Sequence, residues 1–138
     1  MKKNTIIYWA ATGLIALMMV FSAYSYLAKP EIAAAFIHLG FPDYFRVELA
    51  TAKILGALVL IIPQIPVKIK EWAYAGFGIT FISATIAHIS SGDPIAMAFM
   101  PLIFLIVLII SNLFLYKKNK SSVVSIKNNT AIKTSLAS

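Results

Sequence analysis

Lys53 lies in the middle of the 19-residue apolar run Tyr44–Ile62. An amine at that position, if the run is a membrane helix, sits near the bilayer midplane, where a charge costs several kcal/mol and usually marks function. Glu48 stands five residues earlier, about 7.5 Å along a helix axis and about 140° around it. The two therefore do not stack as an i, i+4 pair would. Each needs a partner on another helix, in water, or in a bound molecule. Three kinds of chemistry follow. Glu48 and Lys53 can act with His88 as acid–base groups in an embedded enzyme site. They can hold a small molecule. They can also reach each other through side-chain flexibility and fix the packing of a bundle, as buried ion pairs do. Ser22, Tyr26, Arg46, Thr85 and His88 fall in the same halves of their apolar runs as Glu48. Together they predict a polar pocket that opens outward, with Lys53 as its floor and Ser22, Tyr26, Arg46, Glu48, Thr85 and His88 as its walls. The inner halves hold little that is polar beyond Thr12 and Thr80. His38, in an outer loop, is a weaker candidate than His88. Two histidines and five scattered acids offer no metal-ligand spacing, so no metal is expected.

These residues must be carried by membrane helices. The chain of 138 residues is 60% hydrophobic and only 12% charged, with mean hydropathy +0.86. A soluble domain carries roughly 25% charged residues. Four apolar runs, 6–27, 44–62, 72–89 and 95–116, are long enough to cross a hydrocarbon core of about 30 Å. They predict an all-α, membrane-embedded, antiparallel four-helix bundle over residues 1–116. The first run is too long and too aromatic for a cleaved signal peptide. Turn chemistry separates the runs: Lys29-Pro30, Gly40-Phe41-Pro42-Asp43, Pro63-Gln64-Ile65-Pro66 and Ser90-Ser91-Gly92-Asp93-Pro94. Asp43 and Asp93 suit helix N-caps, and residues 30–39 read as a short interfacial helix. Residues 117–138 are rich in Lys, Ser and Asn and read as a disordered basic tail.

Charge placement orients the bundle. Nine basic residues, Lys2, Lys3, Lys68, Lys70, Lys117, Lys118, Lys120, Lys127 and Lys133, lie on one side, against Lys29 and Arg46 on the other. Basic residues stay cytoplasmic, which predicts N-in/C-in topology in an inner membrane. Tyr8, Trp9, Trp72, Tyr74 and Tyr116 then mark the inner interface, and Tyr24, Tyr26 and Tyr44 the outer. The net charge of +7 does not point to nucleic acid, because no basic stripe with interleaved aromatics exists. With no cysteine in the chain, thiol chemistry is excluded.

Helical periodicity sorts the faces. In the third run, Ile79, Ile82, Ile86 and Ile89 form one stripe, expected toward lipid. Gly76, Thr80, Ser83, Ala84 and Ala87, with His88 at the edge, are expected toward neighbouring helices, since small residues let membrane helices approach closely. In the second run, Val47, Ile54, Leu58 and Ile61 make the lipid stripe, opposite Ala52, Gly56 and Ala57.

Several segments carry a family likeness. His38-Leu39-Gly40-Phe41-Pro42, Phe45-Arg46-Val47-Glu48-Leu49, Ala52-Lys53-Ile54-Leu55-Gly56, Glu71-Trp72-Ala73-Tyr74-Ala75-Gly76-Phe77 and Ala87-His88-Ile89-Ser90-Ser91-Gly92-Asp93-Pro94 resemble the DoxX-like family, over about residues 6–116. The resemblance implies a small four-helix membrane protein. The wider DoxX group is associated with thiosulfate:quinone oxidoreduction and with membrane redox and detoxification. A quinone-like ligand and a role as redox accessory subunit, beside a partner redox subunit or in a homo-oligomer, are therefore expectations of the resemblance. No cofactor motif in the chain itself adds to them. Catalysis by the chain, and a purely structural or assembly role, remain the rival readings.

Overall fold

The computed structural model describes residues 2–137, so Met1 and Ser138, the outermost positions of the two expected segments, lie outside the described residues. Five helices form: α1 (Lys2–Ala28), α2 (Pro30–His38), α3 (Asp43–Ile61), α4 (Val67–Ser90) and α5 (Ile95–Ala137), with no strand among the described residues. α1, α4 and α5 are long and apolar enough to cross a membrane. α3 is shorter and carries Asp43, Arg46, Glu48 and Lys53 within its 19 residues. The long helices pack in the cyclic order α1, α3, α4, α5, with α5 returning to α1, while α2 rests on α3 and α1. The chain thus has a terminal end, where α1 starts and α3 turns into α4, and a distal end formed by α2 and the α4–α5 loop.

Glycine sets both distal turns. Gly40 (φ 83°) and Gly92 (φ 73°) adopt the left-handed conformation. Each closes a Schellman motif: Phe41 N donates to Phe36 O and Gly40 N to Ile37 O, then Asp93 N to His88 O and Gly92 N to Ile89 O. Glycine lacks the Cβ that disfavours this backbone, so these positions stop α2 and α4 cleanly.

Three local expectations are corrected. Asp43 is the first residue of α3 and Pro42 stands at its N-cap, with no side-chain cap bond. Asp43 holds Arg46 instead, and Asp93 binds histidines. Beyond Tyr116 the helix continues to Ala137 where an irregular tail was expected. No Gly or Pro follows Pro101 to break it, and the hydroxyls of Ser122, Thr130 and Thr134 bond to carbonyls four residues back. The face of α4 also differs. The isoleucine stripe Ile79, Ile82, Ile86 and Ile89 is exposed as expected, but the buried residues are Lys70, Tyr74, Phe77 and Phe81 rather than Gly76 and its small neighbours.

Large rings fill the space between α3, α4 and α5, and the glycine that admits one of them lies on α3. A Cβ at Gly56 would fall 2.5 Å from Cζ of Phe77, whereas one at Gly76 would meet nothing within 4 Å. Gly56→Ala is therefore expected to destabilise the fold by about 1–3 kcal/mol through overpacking, and Gly76→Ala to change little. Unfolding in detergent, followed by circular dichroism, checks both; equal effects would refute the assigned α3–α4 contact.

Candidate functional site

The buried seam of α3 is Ala50, Lys53, Ala57 and Leu60, spaced as a helix needs to keep one stripe turned inward. Lys53 thus lies on the seam between two alanines, and only 4% of it is exposed. Its Nζ donates to Ser22 Oγ at 2.8 Å and to Tyr26 Oη at 2.6 Å. It also lies 3.8 Å from the centroid of the Tyr26 ring, within cation–π range. Ser22 and Tyr26, four apart on α1, share the face that α3 meets. No ion pair joins Lys53 to an acid among the described residues.

Beside these groups lies a cavity of about 330 Å³, walled by Met18, Met19, Ser22 and Tyr26 of α1, Lys53 of α3, Thr80, Phe81, Ala84 and His88 of α4, and Met97, Met100, Pro101 and Phe104 of α5. A second cavity of about 270 Å³ lies under α2, lined by Phe36, Leu39, Phe41 and Phe45 among others. The two share Tyr26, Thr80, Ala84 and His88, which form the partition between them.

At the distal end, Asp93 binds two histidines. His88 Nδ1 lies 2.7 Å from Asp93 Oδ2, and His38 Nε2 lies 2.9 Å from Asp93 Oδ1. An ionised carboxylate only accepts, so each imidazole donates from the bonded nitrogen. With Nδ1 committed, Nε2 is the remaining ring nitrogen of His88, which lines both cavities. The Schellman turn at Gly92 brings Asp93 back over His88, and His38 at the end of α2 completes the bridge. The cluster ties α2 to the α4–α5 loop.

Hydrogen bonds from His88, and then from His38, hold the Asp93 carboxyl below its ordinary range. A lowered folded value stabilises the tie fully above the unfolded value of ~3.9, and the stabilisation is lost as the pH falls through the folded value. Protection of the α2 amides, taken relative to their intrinsic exchange at each pH, is accordingly expected to fall below about pH 4. In Asp93→Asn it should be low already at neutral pH, with no further acid step from this site. Unchanged exchange in Asp93→Asn would show that the bridge does not hold α2.

Of the residues expected to form one pocket, Ser22, Tyr26, Lys53 and His88 meet at the first of these cavities. Arg46, Glu48 and Thr85 do not. Arg46 binds Asp43 and donates to the Tyr26 carbonyl at the end of α1. Glu48 is exposed, on a different face of α3 from Lys53. Thr85 donates to Phe81 O in its own helix. The acid–base set Glu48, Lys53 and His88 is therefore not assembled. Asp93 and His38 are the additions, and the turn signals Gly40 and Gly92 were the available hint that two helix ends converge.

A second polar cluster lies toward the terminal end, where little was expected. Ser111 Oγ is 2.7 Å from Thr12 Oγ1 and 2.6 Å from Tyr74 Oη. Lys70 Nζ donates to Leu60 O at 3.1 Å and to Tyr8 Oη at 3.4 Å. Every polar atom here has a partner inside the protein. That describes packing rather than a receptor.

The model of the DoxX-like family matches residues 10–111, a stretch that contains Ser22, Tyr26, His38, Lys53, His88 and Asp93. The chain belongs to the DoxX-like family. No curated protein and no solved structure matches it. Family membership and the three apolar helices identify this DoxX-like chain as a membrane protein. The match ends before the last 26 residues of α5 and begins after Tyr8.

Proposed function

We propose that this protein crosses the bacterial inner membrane four times with both termini in the cytoplasm, and that the cavity beside Lys53 binds a small amphipathic molecule of the quinone kind. α3 serves as the fourth span. Its midpoint charge turns inward onto Ser22 and Tyr26, and Arg46 and Asp43 pair near its start, so a bilayer meets few of its charges. The asymmetry of nine basic residues to two supports the orientation. Reporter fusions at Lys68 and after Tyr116 are expected to read cytoplasmic, and one at Ser91 external; a cytoplasmic reading at Ser91 would overturn the topology.

The observation that carries the binding reading is a buried ammonium with two hydroxyl partners and no acid, beside a cavity of about 330 Å³. An ammonium has three N–H donors, so one is left for a bound carbonyl oxygen. Methionine thioethers and the rings of Phe81 and Phe104 suit a planar, polarizable body. In this reading the protein serves as an accessory subunit that holds such a molecule for a partner redox protein. Extraction of the protein from mild detergent, followed by mass spectrometry, tests the reading. A defined amphipathic molecule is expected at near-stoichiometric yield from wild type and not from Lys53→Met. Equal recovery from both, or recovery of bulk phospholipid alone, would refute it.

A further inference from the structure

We infer that the preferred occupant of the Lys53 cavity is an acidic amphiphile, a compact apolar body bearing one carboxylate or phenolate, whose anion supplies the counter-charge that Lys53 lacks. The inference rests on the reading above that this cavity binds a small amphipathic molecule, and it puts an anionic head group in place of the neutral quinone carbonyl.

The charge accounting carries it. The chain has five acidic residues, and none faces Lys53. Asp43 is held by Arg46, Asp93 by His38 and His88, and Glu31, Glu48 and Glu71 are exposed. From α4, the titratable group at the cavity is His88, whose Nδ1 is already on Asp93; α5 contributes Met97, Met100 and Phe104 and no charge. An ammonium taken out of water is stable only when paired or well hydrogen-bonded. Ser22 and Tyr26 satisfy its hydrogen bonds in part and leave its charge unmatched.

The polarity of the hydrogen bonds points the same way. Both hydroxyls accept from Lys53, and Ser22 also bonds to Tyr26, so the pair keeps one proton to give. Lys53, Ser22 and Tyr26 together present donors at one wall of the cavity and no carboxylate acceptor. Such a cluster suits an oxyanion, since charge-assisted bonds are roughly twice as strong as neutral ones. Apart from Thr80 and His88, the remaining wall is apolar and mostly methionine and phenylalanine, which suits the body of the ligand.

Matched probes test this on the full-length protein in detergent. Titration calorimetry would compare 2-naphthoate with 2-naphthamide, which share a ring system and differ in charge, with menadione as a neutral quinone. Wild type is expected to bind naphthoate at least about tenfold more tightly than naphthamide, a difference of ~1.4 kcal/mol. Lys53→Gln is expected to abolish that preference. Equal affinities for the two in wild type would overturn the inference whatever the variant does. So would a preference that survives in folded Lys53→Gln. Binding of menadione or naphthamide without anion preference would leave the binding reading standing and sink only this one. Failure of all three probes to bind would count against both.

Discussion

Tyr8→Ala is expected to lower the stability of the protein by about 3–5 kcal/mol, the range for removing a fully buried aromatic side chain. Tyr8 is completely inaccessible and packs in the main core cluster with Ile15, Leu60, Tyr74 and Leu115. Its hydroxyl reaches Leu60 O at 3.5 Å and accepts from Lys70 at 3.4 Å. Lys118 lies 4.8 Å from its ring. Leu60 O belongs to the last turn of α3, where carbonyls lack helical partners, so Tyr8 and Lys70 together cap that end. Removing the ring leaves a cavity and leaves Lys70 with one partner. Tyr8→Phe isolates the hydroxyl and should cost about 1 kcal/mol. Trp72→Ala, at a position that is 81% exposed, should change little. Thermal unfolding of the three variants in one detergent would check the ranking. A Tyr8→Ala effect no larger than that of Trp72→Ala would place Tyr8 at the interface and contradict the packing.

Lys53→Met is expected to split stability from ligand binding. Replacing buried charge by an apolar side chain of similar length is often neutral or stabilising, and Ser22 and Tyr26 lie close enough to Lys53 to rearrange. Unfolding of the variant should therefore stay within about 1 kcal/mol of wild type or rise above it. Ligand retention should fall by at least about tenfold, since a charge-assisted bond contributes roughly 1.5–3 kcal/mol. Glu48→Gln should do neither, because Glu48 is exposed and has no ion-pair partner among the described residues. A Lys53→Met protein that unfolds readily while Glu48→Gln does the same would mean that the two residues support each other after all.

The contrast between Tyr8 and Lys53 shows what the sequence could tell. Lys53 was legible because a charge in the middle of an apolar run has few explanations, and helical arithmetic correctly separated it from Glu48. The helices were legible from hydropathy and from the Pro and Gly between them. Tyrosine suits both a membrane interface and a buried hydrogen bond, and one chain's periodicity does not show that Tyr8 and Tyr74 are buried in the core. The buried face of α4 was misplaced for a related reason. Small residues and large rings can both face a neighbour, and Gly56 on another helix decides which. The bridge from His38 to Asp93 spans 55 residues, and no local pattern encodes such a contact. Arg46 and Thr85 lie at the depth of the cavity along α3 and α4 but not on its face; depth along a helix is readable from sequence, while rotation is less so.

The most direct test of the binding account is a structure of the protein in lipid nanodiscs with its copurified molecule. Density is expected in the cavity bounded by Ser22, Tyr26, Lys53, Met100 and His88, with one polar atom of the ligand within hydrogen-bond distance of Lys53 Nζ. Density confined to lipid-facing grooves, with Lys53 paired to Glu48 and the cavity closed, would contradict it.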